Sequence, residues 1–297
     1  MSEFVHVTVL REETVEALAP RSGGLYADAT LGGGGHAEAI LERSAPDGRV
    51  IGVDRDEAAL AAARRRLARF GDRVTFVHDE FGRLRRVLGD LGVSRVDGVV
   101  ADVGVSSPQL DDPARGFSFR GDGPLDMRMD RSRGETAREL IARLDAEALA
   151  DVIYELGEER RSRAIARSIK EAEARGELRT TGDLAAAVHR VMRRRGRIDP
   201  ATRTFQALRI AVNRELDQLR EFVEAVPELL ADGAVVAVIS FHSLEDRIVK
   251  RAFRDDGRLR PLTKKPLRPR EEELARNPRA RPAKLRAARR VPREEAA

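Results

Sequence analysis

The sequence predicts an α/β fold, a parallel sheet with helices on both faces, interrupted by an all-helical insert. Three observations carry this. Between residues 24 and 103 short β-branched runs alternate with helical stretches, the signature of βαβ units. A further apolar run, 233–240, reads as one more buried strand far along the chain. Between these parts, residues 136–195 contain no convincing strand and repeat their apolar residues at helical spacing.

In chain order, the first strand is GLYAD at 24–28, followed by a glycine cluster and a helix beginning near Ala37. RVIGVD at 49–54 is the second strand, with an alanine-rich helix behind it to about Phe70. VTFVH at 74–78 is the third, followed by a short helix over 81–91. VDGVVAD at 96–102 is the fourth, apolar almost to its acidic end. In the insert, Leu140, Ile141 and Leu144, then Leu149, Val152, Ile153 and Leu156, then Ile165 and Ile169 form successive amphipathic stripes. Thr180 is a helix start, with the apolar face resuming at Leu184 and Val188. Leu208, Val212, Leu216, Leu219, Phe222, Val223 and Val226 lie on one face of a single long helix before the last strand. The expected division is a discontinuous α/β domain, 1–112 with 214–297, and an inserted helical domain, 113–213, that recognises substrate.

Composition narrows the function classes. The 297 residues are 41% hydrophobic and 35% charged, so a packed core coexists with a heavily ionised surface, and wholesale disorder is excluded. Cysteine is absent, which removes disulfides, thiolate metal sites and cysteine nucleophiles. No clustered His, Asp and Glu spacing suggests a metal site. The first eleven residues lack the basic start and apolar core of a signal peptide, and no run approaches the ~18 apolar residues of a membrane span. A soluble cytoplasmic protein is expected. Helical stripes pack equally well within one chain and between two, so a homodimer stays open. The net charge of +5 is unevenly placed. Residues 258–297 hold 14 Lys and Arg against 5 Glu, and residues 190–203 hold six arginines and one acid. Segregated positive charge suits a polyanion such as nucleic acid.

Three motifs carry chemistry. In DATLGGGGH, 28–36, consecutive glycines let the backbone approach a ligand closely, and the helix behind them presents N–H groups at its start. Gly32, Gly34 and Ala37 also fit the dinucleotide pattern G-x-G-x-x-A, so a nicotinamide cofactor is an alternative at this point. Asp54 ends the second strand 20 residues past Gly34, where a carboxylate accepts both ribose hydroxyls of an adenosine-containing cofactor. Asp102 ends the fourth strand and opens the turn DVGVSSPQ. A strand-end acid before a small polar turn with proline is similar to the Asp/Ser-Pro-Pro-aromatic motif of amino-methyltransferases, although the aromatic and the second proline are missing. There, hydrogen-bond acceptors restore sp³ character to an exocyclic amine whose lone pair is delocalised into the base. Asp102 and Ser107 are the catalytic candidates.

Beyond these, DVGVSSPQLD at 102–111, RGFSFRGDGPLDMRMD at 115–130, DPATRTFQALRI at 199–210, SFHSLEDRIVKR at 240–251 and NPRARPAKLR at 277–286 follow in order. With DATLGGGGH and GVDRD, this pattern resembles the RsmH/MraW family of bacterial 16S rRNA cytosine-N4 methyltransferases over nearly the whole chain. The resemblance implies a Rossmann-like class I methyltransferase sheet and S-adenosylmethionine as cofactor. It implies cofactor contacts at Gly34, Gly35, His36, Asp54, Phe81, Asp102 and Gln109. It also implies, as substrate, a cytidine of the small ribosomal subunit, at position 1402 in the usual rRNA numbering. A non-catalytic RNA-binding or assembly factor would use the basic tail alone and leave the glycine turn and Asp54 without a role.

The expected grip on RNA is Arg193, Arg194, Arg195 and Arg197 of the insert with Arg279, Arg281, Lys284 and Arg286 of the tail, through phosphate contacts. For the tail, the competing expectation is that it returns to the sheet as final strands and buries Leu285. His242 is open between a structural hydrogen bond and an RNA contact, and Arg203 between RNA and an intradomain ion pair.

Overall fold

The computed structural model describes residues 8–192 and 199–292. The chain divides into two compact units, 1–104 with 216–297, and 105–215. The expected boundaries at 112 and 214 both shift: residues 105–112, with their short helix, and residues 214–215 belong to the second unit.

The first unit is built on seven strands: β1 (Leu25–Asp28), β2 (Arg49–Asp54), β3 (Val74–His78), β4 (Val96–Asp102), β5 (Leu230–Ser240), β6 (Leu259–Pro261) and β7 (Lys284–Arg290). Their order is β3-β2-β1-β4-β5-β7-β6. The first five are parallel, and β7 is antiparallel to β5 and to β6. Helices α1 (Arg11–Leu18), α2 (Gly35–Arg43), α3 (Glu57–Leu67) and α4 (Leu84–Asp90) precede or connect the early strands. Side chains alternate along β5: Val236 and Val238 pack in one core, and Val235, Ala237 and Ile239 in the other. This period-2 split lets one apolar run bury both faces of a central strand. β5 starts at Leu230 rather than 233, because Leu230 already pairs with Val96 before an irregularity in the register.

The second unit holds α5 (Ser107–Asp111), α6 (Ala137–Arg143), α7 (Ala146–Gly157), α8 (Ser162–Ala174), α9 (Thr181–Val191) and α10 (Ala201–Asn213). Thr136 and Thr180 close capping boxes with Glu139 and Asp183, which fixes where α6 and α9 start. The apolar stripes at Leu140, Ile141, Leu149, Ile153, Ile165 and Ile169 converge on one core. Asn213 is buried at the end of α10. It accepts the Met129 N–H (2.8 Å) and donates to the carbonyls of Met127 (2.7 Å) and Arg209 (2.9 Å). These bonds hold the 115–130 segment where Met127 takes a left-handed conformation, φ 61°.

The expected single helix through Leu208 and Val226 is two. Arg214 is left-handed (φ 50°) and ends α10, and α11 (Glu215–Leu229) follows. The apolar stripe therefore serves two cores: Leu208 packs in the second unit, and Leu219, Phe222, Val223 and Val226 in the first. Helix α12 (Ser243–Asp255) packs Val249 and Phe253 on the same face as α11, and α13 (Glu271–Arg276) lies in the tail.

The tail is part of the sheet. β7 pairs with β5 over six positions, from Val235↔Arg289 to Ser240↔Lys284, and Leu285 is 1% exposed. Lys284 Nζ and Arg286 Nε reach the Asp246 carboxylate of α12 at 2.9 and 2.7 Å. Against the upward push of burial, these two cations hold the Asp246 carboxyl below its ordinary range. The assignment of Lys284 and Arg286 to RNA is corrected accordingly: their charges are neutralised in pinning β7 to α12. Arg279 and Arg281 are exposed, on and just after a short turn of 3₁₀ helix. Arg193, Arg194, Arg195 and Arg197 lie outside the described residues.

Candidate functional site

In an open α/β sheet, ligands sit beyond the carboxyl ends of the strands where the strand order reverses. Here that point lies between β1 and β4, since β1 is flanked by β2 on one side and β4 on the other. Asp28, the last residue of β1, stands opposite Gly52 and Val100, so Asp54 and Asp102 each project two residues further along their strands. The segment after β1 is tied into both neighbours. Ala29 N–H donates to the Val100 carbonyl (2.8 Å), Leu31 N–H to Val53 (2.8 Å) and Asp102 N–H to Thr30 Oγ1 (2.5 Å). The glycine turn is thereby suspended between two acidic strand ends.

Gly34 is the N-cap of α2 with φ 82°, a left-handed conformation that glycine adopts without strain, and no side chain caps the helix start. The start of α2 therefore has no side-chain cap of its own, an arrangement that suits an anionic ligand. Asp54 accepts the Gly32 N–H (2.7 Å) on one oxygen and the Asp56 N–H (2.8 Å) on the other. Burial pushes the Asp54 carboxyl up to about 6, against the lowering pull of those two N–H groups. Phe81 lies just past β3, on the Asp54 side of the sheet, where Asp79 N–H donates to the Asp54 carbonyl (3.1 Å). Its ring meets Phe222 edge-on at a centroid distance of 5.9 Å.

At the heart of the crevice, several buried polar atoms have no hydrogen-bond partner: Asp28 Oδ2, both ring nitrogens of His36, and Asp102 Oδ1. His36 Nε2 stands 3.6 Å from Asp102 Oδ2. Each orphaned buried group costs about 1–3 kcal/mol unless something else satisfies it. A ligand bearing both donors and acceptors fits this arrangement. An ammonium suits the carboxylates, and a carboxylate suits the uncapped start of α2.

Gly34, Gly35, His36, Asp54, Phe81 and Asp102 are thus gathered at one end of the first unit's sheet. Gln109 and Ser107 belong to the second unit. There, Gln109 Oε1 accepts the Ser106 N–H (3.0 Å) and Ser106 Oγ caps the Gln109 N–H (3.4 Å), a box that starts α5, with Ser107 as its first residue. His242 proves to be a helix cap. Its Nδ1 faces the Glu245 N–H (3.5 Å), and Glu245 accepts the Phe241 and His242 N–H groups at 2.8 and 3.1 Å. Arg203 donates to the Glu158 carbonyl (3.1 Å) and approaches Glu159 (3.6 Å), an interaction within its own unit. Among the described residues no three His, Asp or Glu side chains are grouped to hold a metal ion, and no helix is long and apolar enough to cross a membrane.

Sequence reasoning missed Asp28, which is fully buried. The available signal was an acid ending a buried strand directly before a glycine turn. Burial pushes its carboxyl up to about 7, with the nearby His36 as the largest opposing influence. The native protein therefore keeps a proton that the unfolded chain loses near pH 4, and its stability falls as pH rises through the interval from about 4 to 7. Asp28→Asn removes this contribution. Its thermal midpoint relative to the parent is expected to rise progressively between pH 5 and 7 in calorimetry and to level off above that. Parallel melting curves across that range would show that Asp28 is ionised throughout.

A sheet of this order, with an antiparallel seventh strand, a glycine turn after β1 and acids ending β2 and β4, defines a Rossmann-like class I methyltransferase fold. The chain belongs to the MraW methylase family, whose model matches residues 3–291. It is similar to the "Ribosomal RNA small subunit methyltransferase H" of Sorangium cellulosum, at 65% identity over 288 residues, covering 96% of this chain and 91% of that protein. The protein of the same name from Synechococcus elongatus is 54% identical over 291 residues, covering 98% and 96%. That of Trichlorobacter lovleyi is 50% identical over 309 aligned residues, covering 97% and 99%.

Proposed function

We propose that this protein is an S-adenosylmethionine-dependent methyltransferase acting on the exocyclic N4 of a cytidine, position 1402, in 16S rRNA of the small ribosomal subunit. The observation that carries the reading is the set of buried, unpartnered groups of Asp28, His36 and Asp102 beside the uncapped glycine turn. The names of the relatives support the small-subunit RNA as substrate. The helical unit, 105–215, takes the role of substrate recognition.

S-adenosylmethionine supplies an electrophilic methyl group on a sulfonium. In this reading the start of α2, through Gly34, Gly35 and His36, receives the carboxylate of its amino-acid end, and Asp54 accepts the ribose hydroxyls. Phe81 covers the adenine, and the family resemblance adds Gln109 of α5 to the cofactor contacts. Asp102 faces the target amine. Its unpartnered Oδ1 accepts an N4 proton as the nitrogen lone pair attacks the methyl carbon. The methyl–sulfur bond breaks, its electron pair returns to sulfur, and S-adenosylhomocysteine is the leaving group. The partial likeness to the amino-methyltransferase motif makes Ser107 the other catalytic candidate. The base must leave its stack to reach a buried carboxylate, so RNA has to be held on either side of it.

Two measurements test this. Calorimetric titration should show S-adenosylmethionine binding and no binding of NAD; the opposite result would make the protein an oxidoreductase, and binding of neither an assembly factor. Mass spectrometry of rRNA nucleosides from cells with and without the gene should show N4-methylated cytidine lost from one site. Unchanged modification there would exclude this target.

A further inference from the structure

Most cations along the outer strands have a carboxylate. Lys284 and Arg286 share Asp246, Arg258 pairs with Asp256, and Arg270 with Glu13. One stretch differs. Between Arg258 and Arg270 the chain has no acidic residue, and Lys264, Lys265 and Arg268 are exposed with no ion pair among the described residues. The segment is anchored at both ends: Leu262 N–H donates to the Ala287 carbonyl, and Leu267 and Leu285 exchange two backbone bonds, all at 2.9 Å. Residues 263–266 project between these anchors, shaped by Thr263 Oγ1 donating to the Lys265 carbonyl (2.6 Å). Leaving adjacent like charges unneutralised on an anchored loop has an electrostatic cost, which an anionic partner would reverse.

The register places this loop. Asp102 pairs with Ile239, Ile239 with Leu285, and Leu285 with Leu267. These four residues form one lateral row across the carboxyl end of the sheet. At 4.7–4.9 Å per strand, Leu267 lies about 14–15 Å from Asp102, on the same edge. The chain has only five lysines among 55 basic residues, and two of them stand side by side at this tip. An ammonium is a compact, hydrated point charge that meets phosphate oxygens without the fixed geometry a guanidinium demands.

We infer that the 263–268 loop is an RNA-backbone contact, in which Lys264, Lys265 and Arg268 bind phosphates flanking the nucleotide presented at Asp102. The inference rests on the reading of the protein as a small-subunit RNA methyltransferase and names a surface for that substrate. The test pairs two double charge reversals that change net charge equally. Lys264→Glu with Lys265→Glu alters the loop. Arg43→Glu with Arg49→Glu alters exposed cations at the end of α2 and the start of β2, on the opposite edge of the sheet. Binding to small ribosomal subunits from cells lacking the gene is measured across salt concentrations, alongside titration with S-adenosylmethionine.

The loop variant should bind subunits at least about tenfold more weakly, with a log–log salt slope shallower by roughly 1–2, since each lost phosphate contact removes about 0.7–0.9. Its cofactor affinity should stay within about twofold of the parent, and its turnover should recover at saturating subunit concentration. The control variant should lose much less. Equal losses in both variants would mean a general field effect and overturn the inference. An unaltered affinity and slope in the loop variant would overturn it while leaving the proposed function standing. A parent protein that binds no small-subunit RNA would overturn both.

Discussion

Truncating the chain after Asp256 is expected to abolish the fold of the first unit, with loss of the cooperative melt by circular dichroism and of cofactor binding by calorimetry. The cut removes β6 and β7, so β5 loses six paired positions and becomes an open edge. It uncovers apolar contacts made by Leu285, Ala288 and Val291, and leaves the Asp246 carboxylate without both of its cations. A point substitution separates packing from mere chain length. Leu285→Ala should cost about 2–5 kcal/mol, lowering the thermal midpoint by roughly 5–15 °C. A truncated protein that melts cooperatively near the parent temperature and still binds cofactor would show that the tail is a detachable appendage.

The second large effect is expected at Asp102. Asp102→Asn keeps the shape of the side chain and leaves the backbone bond from Asp102 N–H to Thr30 intact, so the glycine turn keeps its frame. It removes the carboxylate beside His36 and replaces an acceptor with an amide that cannot take a proton. Under the proposed function, turnover should fall about 100-fold or more, the scale of positioned proton transfer. The dissociation constant for S-adenosylmethionine should change by less than about tenfold. Equal losses in turnover and affinity would identify Asp102 as a cofactor ligand without a part in the amine chemistry.

Much of the sheet was legible because a central parallel strand must be apolar on both faces, and short β-branched runs report that directly. β2, β3 and β4 lie where those runs predict. The acids ending β2 and β4 stand out against such runs, so Asp54 and Asp102 were readable as candidates from the residue pattern, and both lie at the carboxyl ends of their strands. Asp28 ends β1 in the same way and carried the same signal, but nothing local reveals that its carboxylate is fully buried and left with an unpartnered oxygen. Helix starts in the insert were legible where a threonine with an acid three residues on forms a capping box. The break at Arg214 was not, because a continuous apolar stripe looks the same whether it faces one core or two.

The basic residues divide along the same line. Composition identifies a positive tail but treats all its cations alike. Only the antiparallel return of β7 brings Lys284 and Arg286 to Asp246, some forty residues earlier, and takes them out of the surface charge. The same return leaves Lys264 and Lys265 exposed on a loop anchored to β7. The sequence by itself determined the strands, the glycine turn and the two strand-end acids, because backbone geometry and local burial act over a few neighbouring residues. The tertiary structure alone decided which polar groups are left without partners and which cations remain charged and free, because a charge is neutralised by whatever the fold brings beside it, and that neighbour can lie anywhere in the chain.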